Sequence, residues 1–121
     1  MALYVETKAP GFRFGLGTIS ADGVVGQCVV LSGNNIFTVN DDPDVRSFGI
    51  LAASALAGVL CAVHCMGGIY ETDQYTGDVA AGGLLACDAA TGLLRAIGEG
   101  EFEVAEAISV VSGVLRFKLL V

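Results

Sequence analysis

Phe48-Gly49-Ile50-Leu51-Ala52-Ala53-Ser54-Ala55-Leu56-Ala57-Gly58-Val59-Leu60-Cys61-Ala62-Val63-His64-Cys65-Met66-Gly67-Gly68-Ile69-Tyr70 contains no Asp, Glu, Lys or Arg. An apolar stretch of that length has the reach of a membrane-spanning helix. Whether it crosses a bilayer or folds as sheet decides what kind of protein this is. Gly49, Gly58, Gly67 and Gly68 punctuate it at intervals of about nine residues, the pattern of turns between strands. Its flanks give insertion no direction, because Arg46 stands among Asp41, Asp42 and Asp44 on one side, and Glu71 and Asp73 lie on the other. A small membrane protein spanning 48–70 is the rival that hydropathy alone supports.

An echo further along the chain favours sheet. Gly58-Val59-Leu60-Cys61-Ala62-Val63-His64 recurs in altered form as Gly113-Val114-Leu115-Arg116-Phe117-Lys118-Leu119. Upstream, Cys28-Val29-Val30-Leu31-Ser32-Gly33 followed by Ile36-Phe37 resembles Leu84-Leu85-Ala86-Cys87 followed by Thr91-Gly92-Leu93-Leu94. The offsets, 113 − 58 = 55 and 92 − 33 = 59, describe two similar halves separated by small loop insertions, each needing the other to cover an apolar face. In the second copy Leu115, Phe117, Leu119 and Val121 alternate with Arg116 and Lys118, which defines an inside and an outside. Transferred by the echo, Leu60, Ala62 and His64 point inward. Cys61, Val63 and Cys65 then form an outward apolar stripe, covered either by another part of the fold or by a neighbouring subunit, and these three are the candidate subunit-interface residues.

Composition agrees with an all-β chain. Seventeen glycines and two prolines among 121 residues suit tight turns between short strands better than long helices. The hydrophobic share is 54%, the charged share 16% and the mean hydropathy +0.69, so some surface is expected to be hidden in an oligomer. A net charge of −7 with no basic patch argues against nucleic acid as a partner. The start of the chain lacks a charged region followed by an apolar core and cleavage site, and Cys28, Cys61, Cys65 and Cys87 are expected as reduced thiols in a protein made inside the cell. The expectation is a small barrel-like or sandwich domain of short antiparallel strands over 15–121, preceded by an extended N-terminal arm over 1–14. Asp22-Gly23 reads as a hairpin turn, as do Ser32 to Asn35, Thr91-Gly92 and Ser112-Gly113. Ala52 to Ala57 reads as a possible helical turn that Gly58 ends.

No reactive constellation emerges. Cys61 and His64 have opposite parity on a strand, so they point to opposite faces and make neither a zinc site nor a thiol and base pair. Asp41, Asp42 and Asp44 are interrupted by Pro43 and lack the glycine and terminal Glu of a calcium loop. Glu99, Glu101, Glu103 and Glu106 read as a solubilising rim, and Phe14-Gly15-Leu16-Gly17 lacks the third glycine and helix of a dinucleotide fingerprint. Neither catalytic residues, a metal site nor a cofactor is expected.

The succession Gly26-Gln27-Cys28-Val29-Val30, Phe48-Gly49-Ile50, Ala57-Gly58-Val59-Leu60-Cys61-Ala62-Val63, Gly67-Gly68-Ile69-Tyr70-Glu71, Ala81-Gly82-Gly83-Leu84-Leu85, Thr91-Gly92-Leu93-Leu94 and Ala105-Glu106-Ala107-Ile108 resembles the capsid decoration, or cement, proteins of tailed bacteriophages. The likeness covers most of the chain after Gly26 and rests on glycine placement and apolar spacing. It implies a compact β fold without catalysis, bound to the outer face of the major capsid protein lattice, often as a homotrimer. It also implies a virion location after synthesis in the host cytoplasm. Within that reading the arm residues Leu3, Tyr4, Val5, Phe12 and Phe14 are the candidate capsid contacts, adding a strand to an exposed sheet edge. A head fibre base or tail module is the alternative within the same class.

Overall fold

The computed structural model describes residues 4–5 and 13–121. They form eleven strands and, among the described residues, no helix: β1 (Tyr4–Val5), β2 (Arg13–Ile19), β3 (Cys28–Gly33), β4 (Ile36–Val39), β5 (Gly49–Leu51), β6 (Leu60–Cys65), β7 (Ile69–Thr72), β8 (Leu84–Cys87), β9 (Leu94–Ala96), β10 (Ala105–Val111) and β11 (Val114–Leu119). The apolar tract is therefore sheet: it supplies β5, β6 and the start of β7. Among the described residues no helix is long and apolar enough to cross a membrane.

The strands divide into a closed five-stranded barrel, β2-β4-β3-β5-β6, and a six-stranded sheet, β1-β7-β11-β10-β8-β9. Written from the inner hairpin outward, the barrel runs β4-β3-β5-β6-β2 and the sheet runs β9-β8-β10-β11-β7. The repeat seen in the sequence is thus a repeat of strand order. Equivalent hydrogen bonds recur: Phe48 N–H to Val29 O at 2.8 Å corresponds to Val104 N–H to Leu85 O at 2.7 Å, and Leu51 N–H to Gln27 O at 2.9 Å corresponds to Ala107 N–H to Gly83 O at 2.8 Å. The barrel closes through parallel pairing of β2 with β4, at Thr18 with Ile36 and Ile19 with Phe37. In the sheet the matching contact is a lone parallel bridge between Tyr75 and Leu94, so the second unit stays open.

Strand pairing also corrects the register of the repeat. Leu51 faces Val63 in the barrel and Ala107 faces Phe117 in the sheet, which makes Val63 the counterpart of Phe117 with an offset of 117 − 63 = 54. The sequence echo was anchored on the turn glycines Gly58 and Gly113, both at positive φ, and gave 55. The difference coincides with a bulge in β10 between Ala107 and Ser109. One residue of slip moves every side chain of a strand to the other face. Hence Leu60, expected inside, is 66% exposed, whereas Cys61, Val63 and Cys65, expected to form an outward stripe at a subunit interface, are buried within the chain. The stripe is covered by the fold itself.

Two cores result. Ile19, Val29, Phe37, Leu51, Cys61 and Val63 fill the barrel. The second core lies between the units, where the barrel's outer residues Val25, Cys28 and Ile50 pack on Tyr70, Leu85, Leu115, Phe117 and Leu119 from the inner face of the sheet. The sheet positions equivalent to Cys28, Ile50 and His64 are Leu84, Glu106 and Lys118, and Glu106 stands opposite Lys118 on the solvent side. The halves thus share a backbone plan, and the exposed face of one is the buried face of the other.

Three turn expectations hold and two do not: β3 and β4 pair antiparallel across the turn read at Ser32 to Asn35, where Asn35 takes φ 57°. Ser112 and Gly113 both adopt positive φ, 52° and 76°, the geometry of a two-residue hairpin turn matched to strand twist. Gly92, at φ 73°, lies within the loop closed by the Asp88 N–H bond to Leu93 O. At Asp22-Gly23 there is no hairpin. Gly23 instead bridges Ala55 with reciprocal bonds of 2.8 and 3.0 Å, and this pairing also holds 52–57 out of helical conformation.

Candidate functional site

The groups with chemical potential lie mostly in the seam between barrel and sheet. On β6, Cys61 and Val63 point into the barrel and His64 points out of it, against the Tyr70 ring at a centroid distance of 4.4 Å. Burial pushes the imidazole down to about 4, so His64 is neutral near pH 7. All four cysteines are buried thiols and none forms a disulfide. Burial above all, then the neighbouring Cys87, pushes the Cys28 thiol far above its usual range, against a smaller opposing effect from a Ser47 hydrogen bond. Burial likewise raises Cys87 to about 11. A thiol acts as nucleophile or ligand through its thiolate, so these environments suit packing and oppose reactivity. Among the described residues no group of three or more His, Cys, Asp or Glu could hold a metal ion.

The acidic clusters are engaged in folding their own loops. Glu101 accepts two hydrogen bonds from the Arg95 guanidinium, both 2.7 Å, and one from the Gly98 N–H. The Arg95 bonds first, then the Gly98 bond, hold its carboxyl down at about 2. Asp88 accepts from Thr91 Oγ1 at 2.9 Å and from the Ala90 and Thr91 N–H groups, and its carboxyl is held low by those bonds with Arg95 in addition. Asp42 and Asp44 belong to successive side-chain turns: Asn40 Oδ1 accepts from the Asp42 N–H and Asp42 Oδ1 from the Asp44 N–H, both at 3.0 Å. Asn40 itself is buried and donates to Val45 O and Ser47 Oγ, both at 2.9 Å.

What the surface offers is apolar area. Val24 and Leu56 flank a hollow shared with Gly23, Ser54 and Ala55. Leu56 O accepts from the Val59 N–H, and Leu60 follows, paired with Thr18, whose other neighbour is Ile36 on β4. Val24, Ile36, Leu56, Val59 and Leu60 are all exposed; Val24 and Leu56 share the hollow, and Ile36 and Leu60 stand on either side of Thr18 in the barrel wall. The only ionisable group at its hollow, Asp22, has Oδ1 engaged by the Ala57 N–H at 2.8 Å. No Asp, Glu, Lys or Arg occurs between Phe48 and Tyr70, so Leu56, Val59 and Leu60 stand in an uncharged stretch of a chain of net charge −7, with Asp22 at the edge of the hollow.

Of the arm residues singled out in the sequence, Tyr4 and Val5 pair with Glu71 and Tyr70 as the edge strand of the sheet, and Phe14 lies in β2 opposite His64. Leu3 and Phe12 lie outside the described residues. The barrel face was missed because the register slip placed Leu60 inside. The signal that could have found it is the free alternation of Leu60 and Ala62 against Cys61 and Val63.

A scan against models of known protein families finds no match for this chain. A search of curated proteins finds no match either.

Proposed function

We propose that this protein is a capsid decoration protein, a structural component that binds the outer surface of a tailed-phage major capsid protein lattice and performs no catalysis. The observation that carries the reading is the exposed apolar surface of Val24, Ile36, Leu56, Val59 and Leu60 on a small all-β domain, with Asp22 the carboxylate at its hollow. Exposed apolar surface marks an interaction site, and a carboxylate already bonded to the Ala57 N–H leaves little charge to be buried unpaired against a protein lattice. The sequence resemblance set out above supports the same role. A protein that binds the assembled shell and not its separated subunits adds its contact free energy to the stability of the shell by linkage. Each copy needs only a standard interface, roughly 1,200 to 2,000 Å² in total. Homotrimeric association and a place on the outside of the virion belong to the same proposal.

The test is co-sedimentation of the purified chain with undecorated, expanded phage heads. Saturable pelleting is expected for the wild type, and loss of pelleting with an unchanged melting temperature for Leu60→Asp. Wild-type protein that stays in the supernatant at saturating head concentration overturns the assignment.

A further inference from the structure

At its C-terminal end β3 outruns its partner β5. Its pairing with β5 covers only Cys28 and Val29, and the last bond on that side is from the Phe48 N–H to Val29 O at 2.8 Å. Val30 to Gly33 continue the strand and pair with β4 alone. Backbone groups alternate in direction along a strand, so the N–H and C=O of Leu31 point the same way as those of Val29, into the space that β5 has left. Among the described residues nothing pairs with Leu31 on that side. A groove of about 470 Å³ lies there, lined by Val30, Leu31, Val45, Phe48 and Leu120 with Arg46 and Ser47. Leu31, Val45, Phe48 and Leu120 are each between 37% and 49% exposed, so the groove is an apolar trough beside an open strand edge.

Arg46 gives the trough a sign. Its guanidinium lies 5.7 Å from the centroid of the Phe102 ring, and among the described residues it forms no ion pair. That leaves an unneutralised cation beside an apolar groove in a chain with 13 acidic and 6 basic residues. Val121 completes the lining, and no Asp or Glu side chain is part of it.

We propose that this groove binds an extended acidic segment of a partner protein, which adds a strand along Val30 to Ser32. It seats an apolar side chain between Leu31, Phe48 and Leu120, and directs a carboxylate to Arg46. Strand addition supplies affinity through main-chain bonds and selects sequence through alternate side chains, and the two observations it needs are both present: an unpaired edge and a pocket beside it. The charge selects acidic over basic segments. The inference does not depend on capsid binding, since the barrel face proposed for the lattice is a different surface.

The experiment is a titration of the ¹⁵N-labelled chain, followed by amide NMR, with three probes: acetyl-Asp-Val-Phe-Val-Asp-amide, its counterpart with Lys at both ends, and the acidic peptide N-methylated on its central backbone amides. The acidic peptide is expected to shift the amides of 30–32, 45–48 and 120–121, with a Kd below about 1 mM. The basic and N-methylated peptides are expected to leave them unmoved, and Arg46→Gln to weaken the acidic peptide roughly two- to fivefold, the range of a solvent-accessible charge pair. Shifts elsewhere, no shift, equal response to the acidic and basic peptides, or undiminished binding by the N-methylated peptide each overturn the proposal. Concentration-dependent shifts of the same amides without peptide overturn it in favour of a second copy of this chain as the occupant.

Discussion

Acidification tests the seam between the two units most directly. His64 is 3% exposed, packs against the Tyr70 ring at a tilt of 39°, and has a pKa lowered from 6.5 to about 4 by burial. Its folded value lies below its unfolded value, so the native state binds fewer protons and stability falls as the pH drops below the unfolded pKa. The full loss, reached below the folded pKa, is about 3 kcal/mol, most of it gone by about pH 4.5. Glu101 and Asp88 also have depressed pKa values, and their stabilisation is likewise lost on acidification, but only as the pH falls below the ordinary values of these carboxyls, 4.5 and 3.8. The interval between about pH 6.5 and pH 4.5 therefore belongs to the imidazole among these three. Denaturant unfolding across that interval is expected to show the loss in the wild type and a nearly flat profile in His64→Gln, whatever that substitution costs at neutral pH. A wild-type profile that is flat, or a His64→Gln profile with the wild-type slope, refutes the placement of His64 as a neutral side chain in the seam.

Val63→Ala is expected to cost about 2 to 3 kcal/mol, combining two lost methylenes with the cavity left in a fully buried site, and to lower the melting temperature by roughly 10 °C in calorimetry. Leu60→Asp, one residue earlier, is expected to change stability by less than about 0.5 kcal/mol, because the side chain is 66% exposed; equal effects from the two would reverse the assigned faces of β6. Gly49→Ala places a Cβ against the backbone carbonyl oxygen of His64 and 2.7 Å from Val63 Cγ1, so it is expected to leave the chain largely insoluble or unfolded by circular dichroism. Ser112→Asn is expected to raise stability by up to about 1 kcal/mol in denaturant titration, since Asn tolerates the positive φ of this turn position better than Ser.

The sequence alone settled several matters because they depend on local chemistry. Glycines at Gly58, Gly67 and Gly68 break the apolar tract into pieces too short to be a spanning helix, and all three adopt positive φ. Ser112-Gly113 is a turn because both of its residues must visit the left-handed region, and β10 and β11 flank it at the expected places. The repeat was legible too, since each half carries the same succession of strands and turns.

Only the tertiary structure decided which face of β6 is inside. A single unpaired residue in β10 shifts the pairing frame by one, and no local preference of Leu60 or Cys61 records where that bulge falls. The same holds for the seam: Cys28, Ile50 and His64 are buried and Leu84, Glu106 and Lys118 are not, because the barrel's outer wall covers the sheet's inner face and nothing covers the sheet's outer face among the described residues. The apolar barrel face and the groove at Arg46 arise in the same way. They are assembled from residues distant in the chain, Val24 with Leu56 and Leu31 with Leu120, whose proximity is a property of strand order and closure and of no shorter piece of sequence.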